Sequence, residues 1–498
     1  MGGIEAVKQQ HALGKLTVRE RIAALADPAS FQEIGGFAGR ATYDGDELLS
    51  FEPSPTVVGL CSLNGRKVAI GAGDPTSTGE VAGTNTVYKM GHAQRLALQW
   101  RIPYIRILDS PKGSVLEFER TGRTYLAYED TTDEALRLLG EVPVVTAVMG
   151  PVSGLSAVEA CLCHFSVMVE GTGRVCLGQT EDVQAVTGHE INHEELGSAK
   201  VHAKNGVIHN VVENEEGALD DIRQFLSYMP NNVWEMPPRA EPTDDPNRRD
   251  EALMSIIPEA RNRLYDPFRI LKHVLDHDSV FEITPHFGTS SVTALARVNG
   301  YPVGVMLKNP MSSTVGGMDV AAGEKVIRFI QLCNTFHLPI VYFVDEPGFM
   351  VGLEPQEEGI VRAGAQVTLT AMQTKVPWVS FIVRQLYGVA GCLAFPRGVM
   401  SKNYGWATAN WGGMHVEGGT SAAYRRVIES APDPEAKRKE IEENLRVLSS
   451  TFRTAEAFEV EDIIDPRDTR PLLCDFVEAA QKVLKTQLGP GTGPGYMP

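Results

Sequence analysis

The chain has 498 residues, 43% of them hydrophobic and 22% charged, and a formal net charge of −17. Such a length holds about two to four domains with ample core, and the balance of residues is ordinary for a globular protein. The acidic surplus argues against nucleic acid or a general anionic membrane surface as partner, but a local basic patch still permits a phosphate-bearing ligand.

No apolar run approaches the length that spans a bilayer, and the N-terminus lacks the apolar stretch of a signal peptide. Seven cysteines, an odd number at irregular spacing, do not form a disulfide framework, so the expected compartment is the reducing cytoplasm.

In chain order, Leu63-Asn64-Gly65-Arg66-Lys67-Val68 comes first. Ile102-Pro103 then opens an apolar run to Asp109, and Val142-Pro143 opens another that leads to Gly154. Residues 231–252 carry Pro237, Pro238, Pro242 and Pro246 among charged and amide residues, which is linker chemistry. Beyond it the same signals return in the same order. Val298-Asn299-Gly300-Tyr301-Pro302-Val303 echoes the first, Leu338-Pro339 leads to Asp345, and Val376-Pro377 leads to Gly388. The aspartates are 236 positions apart (345 − 109) and the glycines 234 (388 − 154). Constant order at nearly constant offset indicates an internal duplication. The expected domains are residues 1–236 and 250–498 with a linker at 237–249, and the Gly- and Pro-rich end from Gly489 should be a loose tail.

Each Pro-led apolar run, such as Pro339-Ile340-Val341-Tyr342-Phe343-Val344, is expected to be a buried parallel strand. A Gly- or Pro-rich turn and a helical stretch follow, so strand–turn–helix crossovers are predicted. In such units the turn after the strand delivers backbone N–H groups, and the helix start adds positive potential.

Two such turns have candidate chemistry. Met149-Gly150-Pro151-Val152-Ser153-Gly154-Leu155-Ser156-Ala157 follows a predicted strand Val144–Val148 and precedes a helix-compatible run over 157–165. Its equivalent is Tyr387-Gly388-Val389-Ala390-Gly391-Cys392. A thioester carbonyl becomes negative when its α-carbon loses a proton, and fixed N–H donors stabilise that charge. Glycine lets the backbone approach closely. The bland reading of either motif is a tight turn that only needs glycine. The candidate catalytic positions are Gly154, Leu155, Val389 and Ala390, with Gly388, Gly391 and Cys392 lining the substrate.

His189-Glu190-Ile191-Asn192-His193 matches the H-E-x-x-H pattern of zinc hydrolases, but Gly188 and Asn192 make a poor helix and no third ligand is evident, so no metal is expected. Cys161, Cys163 and His164 are read as core. Lys15, Arg19, Lys89 and Arg95 are candidates for phosphate contacts, each competing with the plainer role of a solvated helix face.

The chain resembles the carboxyltransferase (β) subunits of propionyl-CoA and acetyl-CoA carboxylases and the related decarboxylase α subunits. The likeness runs from Gly14-Lys15-Leu16-Thr17-Val18-Arg19-Glu20-Arg21 and Asp27-Pro28-Ala29-Ser30-Phe31 through Glu194-Glu195-Leu196-Gly197, Phe281-Glu282-Ile283, Val344-Asp345-Glu346-Pro347-Gly348-Phe349 and Asn403-Tyr404-Gly405-Trp406 to Ile464-Asp465-Pro466-Arg467-Asp468-Thr469-Arg470. The resemblance implies an α/β fold of two tandem crotonase-like (ClpP/crotonase) ββα-repeat domains, the first facing acyl-CoA and the second biotin. It implies a homohexamer whose active sites form between the N-half of one subunit and the C-half of another. The implied reaction moves a carboxyl group from carboxybiotin on a partner carrier to the α-carbon of an acyl-CoA. The alternatives are a decarboxylase running the transfer in reverse and a non-catalytic assembly subunit of the same fold.

Three turns depart from the family. Gly154-Leu155 replaces two adjacent glycines, Tyr387-Gly388-Val389-Ala390-Gly391-Cys392 replaces Tyr-Gly-Gly-Ala-Tyr-Asp, and Asp109-Ser110-Pro111-Lys112-Gly113-Ser114 replaces Asp-Ser-Gly-Gly-Ala-Arg. Backbone donors survive such changes, but a side chain now stands where none stood. Cys392 falls where the family tunes acyl-chain choice. Lys89-Met90-Gly91-His92 lacks the Met-Lys-Met of a biotin carrier and no Walker loop is present, so biotin and ATP are expected on partner subunits, a biotin carboxylase and a biotin carrier.

Overall fold

The computed structural model describes residues 2–77, 84–109, 122, 132–178, 180–260 and 263–491. It divides into two compact units, Met1–Pro237 with Leu488–Pro498, and Pro238–Gln487.

The first unit is built on a seven-stranded sheet whose order follows the chain: β1 (Gln32–Ile34), β2 (Thr56–Leu63), β3 (Arg66–Gly73), β4 (Tyr104–Leu108), β5 (Val144–Val148), β6 (Phe165–Val169) and β7 (Asn210–Val212). The pairs β1–β2 and β2–β3 are antiparallel, and every later pair is parallel. The connections explain the change. A two-residue turn joins β2 to β3, whereas longer connections carrying the helices Thr84–Trp100, Thr132–Glu141 and Leu155–Cys161 follow β3, β4 and β5.

Strands β4, β5 and β6 are buried at every position, as runs covered on both faces must be. Helix Glu215–Tyr228 lies on β6, where the Phe225 ring stacks on Phe165 at 4.9 Å. Arg106 of β4 is the charged exception. Its guanidinium lies 5.3 Å from the Tyr104 ring and donates to the carbonyls of Glu159 and Leu162, at the C-terminal end of helix Leu155–Cys161. A cation there complements the helix dipole, so a long-range contact fixes where that helix ends.

The second unit repeats the plan. Its strands are β8 (Phe281–Ile283), β9 (Ser291–Val298), β10 (Tyr301–Lys308), β11 (Ile340–Glu346), β12 (Trp378–Tyr387), β13 (Ser401–Trp406), β14 (Asn410–Gly412) and β15 (Asp462–Ile464). The order is β8-β9-β10-β11-β12-β13-β15, with β14 paired to the end of β12. Antiparallel pairing again gives way to parallel pairing after the third strand. Phe343, Phe381 and Tyr404 stack across β11, β12 and β13 at 5.8 and 5.5 Å. Phe343 and Phe381 are fully buried and each contributes roughly 1.5–3 kcal/mol from area alone, whereas Tyr404 is half-buried.

The duplication extends to single hydrogen bonds. The Asn64-Gly65 and Asn299-Gly300 turns both take positive φ at both residues, 51° and 77° against 50° and 78°. Asp27 accepts the N–H groups of Asn64 and Gly65 at 2.9 and 2.8 Å, and Asp276 accepts those of Asn299 and Gly300 at 3.1 and 2.8 Å.

The Pro-rich stretch is irregular but not slack. Ala240 N–H donates to the Gly300 carbonyl, Arg239 lies over the Tyr301 ring, and Arg470 donates to the Asp245 carbonyl, all within the second unit. At the other end of the chain, Gly489 N–H donates to the Val233 carbonyl in the first unit.

Candidate active site

In the first unit, β5 runs through Met149 and Gly150 into a short strand, Pro151–Ser153, that pairs in parallel with Arg174–Cys176. Gly154 follows with φ 61° and ψ −132°, and its N–H donates to the Leu177 carbonyl at 3.1 Å. Helix Leu155–Cys161 begins at the next residue. It starts two residues before the expected 157–165 run and ends four before its close. The reason is tertiary: Phe165 is needed as the first residue of β6, and Arg106 draws the last carbonyls of the helix to itself.

In the second unit, β12 ends at Tyr387. Gly388 has φ 67° and ψ −160°, and its N–H donates to the Gly412 carbonyl of β14 at 3.1 Å. A 3-10 turn, Val389–Ala394, follows. Thus each glycine is held by a carbonyl at or just past the end of a short parallel strand, a device that composition does not reveal. After each glycine the next two N–H groups, of Leu155 and Ser156 and of Val389 and Ala390, belong to a first helical turn, where no intrahelical acceptor exists. They take no partner among the described residues.

The Leu155 side chain is 41% exposed and that of Val389 69%, so both substituted positions point outward. Ala390 and Gly391 are buried, whereas Cys392 is exposed, so Cys392 is not a core residue. The Ser156 hydroxyl is buried and makes no hydrogen bond among the described residues. The sequence carries no signal for it, because an unspent donor is visible only once its neighbours are placed.

Behind the turns lie two buried aspartates at equivalent strand ends. Asp109 is bound by Lys15 Nζ at 2.7 Å and by Arg21 at 2.7 Å, and Arg21 Nε also donates to Glu215 at 3.0 Å. Burial alone would lower the Arg21 pKa, but Glu215 and Asp109 hold it above the usual value. Asp345 is bound by Arg384 at 2.9 Å and accepts the Tyr265 hydroxyl at 2.8 Å. Lys15 is therefore spent on a buried ion pair, which corrects its reading as a phosphate contact. A desolvated carboxylate must have a cation, and that demand outweighs any surface role.

Of the other basic candidates, Arg19 pairs with Glu33 at 2.8 Å and Arg95 with Glu134 at 3.4 Å. Lys89 is buried, and burial lowers its pKa although Glu33 partly opposes this. Beyond Asp109, the altered stretch at 110–114 lies outside the described residues.

The H-E-x-x-H segment is not one helix. Helix Thr180–Thr187 ends before Gly188, whose φ is 72°, and Asn192 caps a new helix, His193–Gly197. Cys163 and His164 are core, as expected, and Cys161 is half-buried. His164 Nδ1 accepts the Val144 N–H and Nε2 donates to the Leu139 carbonyl, both at 3.0 Å. Among the described residues no helix is long and apolar enough to cross a membrane.

Known proteins share this arrangement. The carboxyl transferase domain matches residues 9–488. The propionyl-CoA carboxylase carboxyltransferase subunit of Haloferax mediterranei is 33% identical over 98% of this chain and 94% of its own. The methylmalonyl-CoA decarboxylase subunit alpha of Veillonella parvula is 32% identical over 94% of this chain and 91% of its own. The crystal structure of the hexameric transcarboxylase 12S with methylmalonyl-coenzyme A bound superposes with a TM-score of 0.87 at 29% identity, covering 97% of this chain and 92% of that one. With two similar α/β domains of the crotonase type and a match along nearly its whole length, the chain belongs to the carboxyl transferase domain family.

Proposed function

We propose that this protein is a biotin-dependent carboxyltransferase that moves a carboxyl group between biotin on a partner and the α-carbon of an acyl-CoA. The observation that carries the reading is the pair of glycine-led turns, each followed by two adjacent N–H groups without acceptors among the described residues. The N-terminal domain, 1–236, takes the thioester, and the C-terminal domain, 250–498, takes biotin, the two being joined by the stretch 237–249. Leu155 and Ser156 hold the thioester oxygen when the α-carbon is deprotonated; Gly154, expected to share in this, spends its own N–H on the Leu177 carbonyl and only aims them. Val389 and Ala390 hold the ureido oxygen, Gly388 and Gly391 shape the surface around it, and the exposed Cys392 bears on the choice of acyl chain. Each donor of this kind contributes roughly 3 kcal/mol to a transition state.

Biotin fits the second turn: a planar ureide can approach two open N–H groups beside a glycine, and the Val389 side chain is turned toward solvent. When bound, it supplies the carboxyl group and a ureido nitrogen able to take the α-proton. The chain's own residues need supply no general base, which accords with turns built from backbone donors.

The likeness to a methylmalonyl-CoA decarboxylase subunit alpha supports a second reading, in which the same transfer runs from the acyl-CoA to biotin. Partners of either reading are a biotin carrier and, for carboxylation, a biotin carboxylase. The hexamer of the transcarboxylase 12S relative supports a homohexamer here. Seven free thiols fit a reducing compartment, the cytoplasm.

The test is a panel of CoA thioesters with free biotin or a purified carrier protein, following exchange of labelled carboxyl groups. Biotin-dependent exchange on one or more thioesters is the expected result. Binding of thioesters without any exchange would leave the assembly-subunit reading standing instead.

A further inference from the structure

The loop that leaves β11 is held at several points. Asp345 is engaged by Arg384, Tyr265 and Gln385, the last at 3.2 Å. Glu346, wholly buried, pairs with Lys308 Nζ at 2.9 Å and accepts the Gly348 N–H at 3.2 Å. Burial raises the Glu346 pKa, and Lys308 opposes that rise. Two adjacent buried carboxylates therefore fix the loop to the strand ends from within.

One further contact reaches the same loop from β14. His415, three residues beyond that strand, places Nε2 at 3.0 Å from the Pro347 carbonyl. Its ring centroid lies 4.0 Å from that of Tyr387, with the planes inclined by 36°. A carbonyl only accepts, so Nε2 carries the proton. Tyr387 immediately precedes Gly388, whose own N–H is held by Gly412 at the end of β14. The turns are close neighbours, since a β-carbon on Gly348 would stand 3.8 Å from the Tyr387 carbonyl. One imidazole thus touches the turn after β11 and the turn after β12.

We propose that His415 is a positioning residue that ties the 347–348 turn to the 387–388 turn and thereby sets the aim of the Val389 and Ala390 N–H donors toward the ureido group. This rests on the assignment of the second unit to biotin. The lever is mechanical and electrostatic. Losing the Nε2 donor frees the Pro347 carbonyl, and losing the ring removes the face against which Tyr387 packs.

Three variants separate this from a merely structural role. Gln places its amide nitrogen near the imidazole Nε2, Asn places it near Nδ1, and Ala removes both. For His415→Ala and His415→Asn, the KM for free biotin should rise about tenfold, the worth of one net hydrogen bond, while KM for acyl-CoA stays unchanged. His415→Gln should recover most of the loss. Amide hydrogen exchange of the same proteins should quicken at residues 346–350 and 385–391 in the Ala and Asn variants and return toward wild type in the Gln variant. Unchanged exchange in those two segments overturns the tie. So does equal weakening of biotin and acyl-CoA accompanied by a general fall in melting temperature. A wild-type protein with no biotin-dependent activity sinks the carboxyltransferase reading alone, because the hydrogen-exchange arm still decides whether His415 joins the turns.

Discussion

Gly154 and Gly388, 234 positions apart (388 − 154), have closely similar backbone conformations, and the N–H of each is bound 3.1 Å away by a carbonyl, that of Leu177 just past the short strand Arg174–Cys176 and that of Gly412 at the end of β14. Positive φ with strongly negative ψ is territory that a β-carbon enters only under strain. The duplication has thus preserved a constraint, since both glycines set the direction of the N–H groups that follow them.

Gly154→Ala and Gly388→Ala should each cost about 1–3 kcal/mol of backbone strain and lower carboxyl exchange by roughly 10²-fold, as the loss of one oxyanion donor does. Circular dichroism should show a folded protein in both cases. Wild-type turnover in either variant would remove these turns from the chemistry.

Leu155 and Val389 test the side chains rather than the donors. Both are exposed, so replacement by glycine leaves no core cavity. Leu155→Gly should change the ranking of acyl-CoA substrates more than it lowers the best rate, since an apolar contact of this size discriminates by about 1–3 kcal/mol. Val389→Gly should act in the same way on the biotin side. Loss of activity on every substrate would mean that a side chain is required there. An inert wild type with active glycine variants would mean that the substitutions had switched the site off.

The Asp109 cluster should dominate stability in the first unit. Asp109→Asn leaves Lys15 and Arg21 buried with half their counter-charge, which costs roughly 3–5 kcal/mol. Gly150→Ala should act through the same group, because its β-carbon would fall 1.5 Å from Asp109 Oδ1. Arg425→Ala is the control: its pair with Glu429 is exposed and is worth about 0.3–0.5 kcal/mol. Urea unfolding midpoints measure all three.

His164 gives a pH dependence of defined sign. Burial pushes its pKa down from 6.5 to about 4. The folded state therefore binds fewer protons than the unfolded one in that interval, so stability is complete above pH 6.5 and falls as pH drops toward 4. The loss is roughly 3 kcal/mol at the lower end. Unfolding midpoints across this range should fall in the wild type and fall less in His164→Asn. A wild-type midpoint independent of pH there would show that the imidazole is not buried neutral.

The duplication, the Pro-led buried strands and the two glycine turns were legible in the sequence because their causes are local. An apolar run long enough for one strand, an Asn-Gly pair and a glycine after a strand are each determined by neighbouring residues and by backbone sterics. The spacing between them then repeats. The partners were not legible. Lys15 reads as a surface cation until Asp109, 94 residues away, is placed beside it, and Arg21 finds Glu215 across 194 residues. Helix Leu155–Cys161 ends where Arg106 captures its carbonyls, 53 residues from that side chain, rather than where its own propensity would stop it. Nothing in the sequence around His415 marks it, because Pro347 and Tyr387 come beside it only through the fold. Electrostatic and hydrogen-bond demands in a buried site are met by whichever groups the fold brings within reach. Local sequence therefore determined the elements and the candidate turns, and only tertiary structure decided which side chains hold those turns in place.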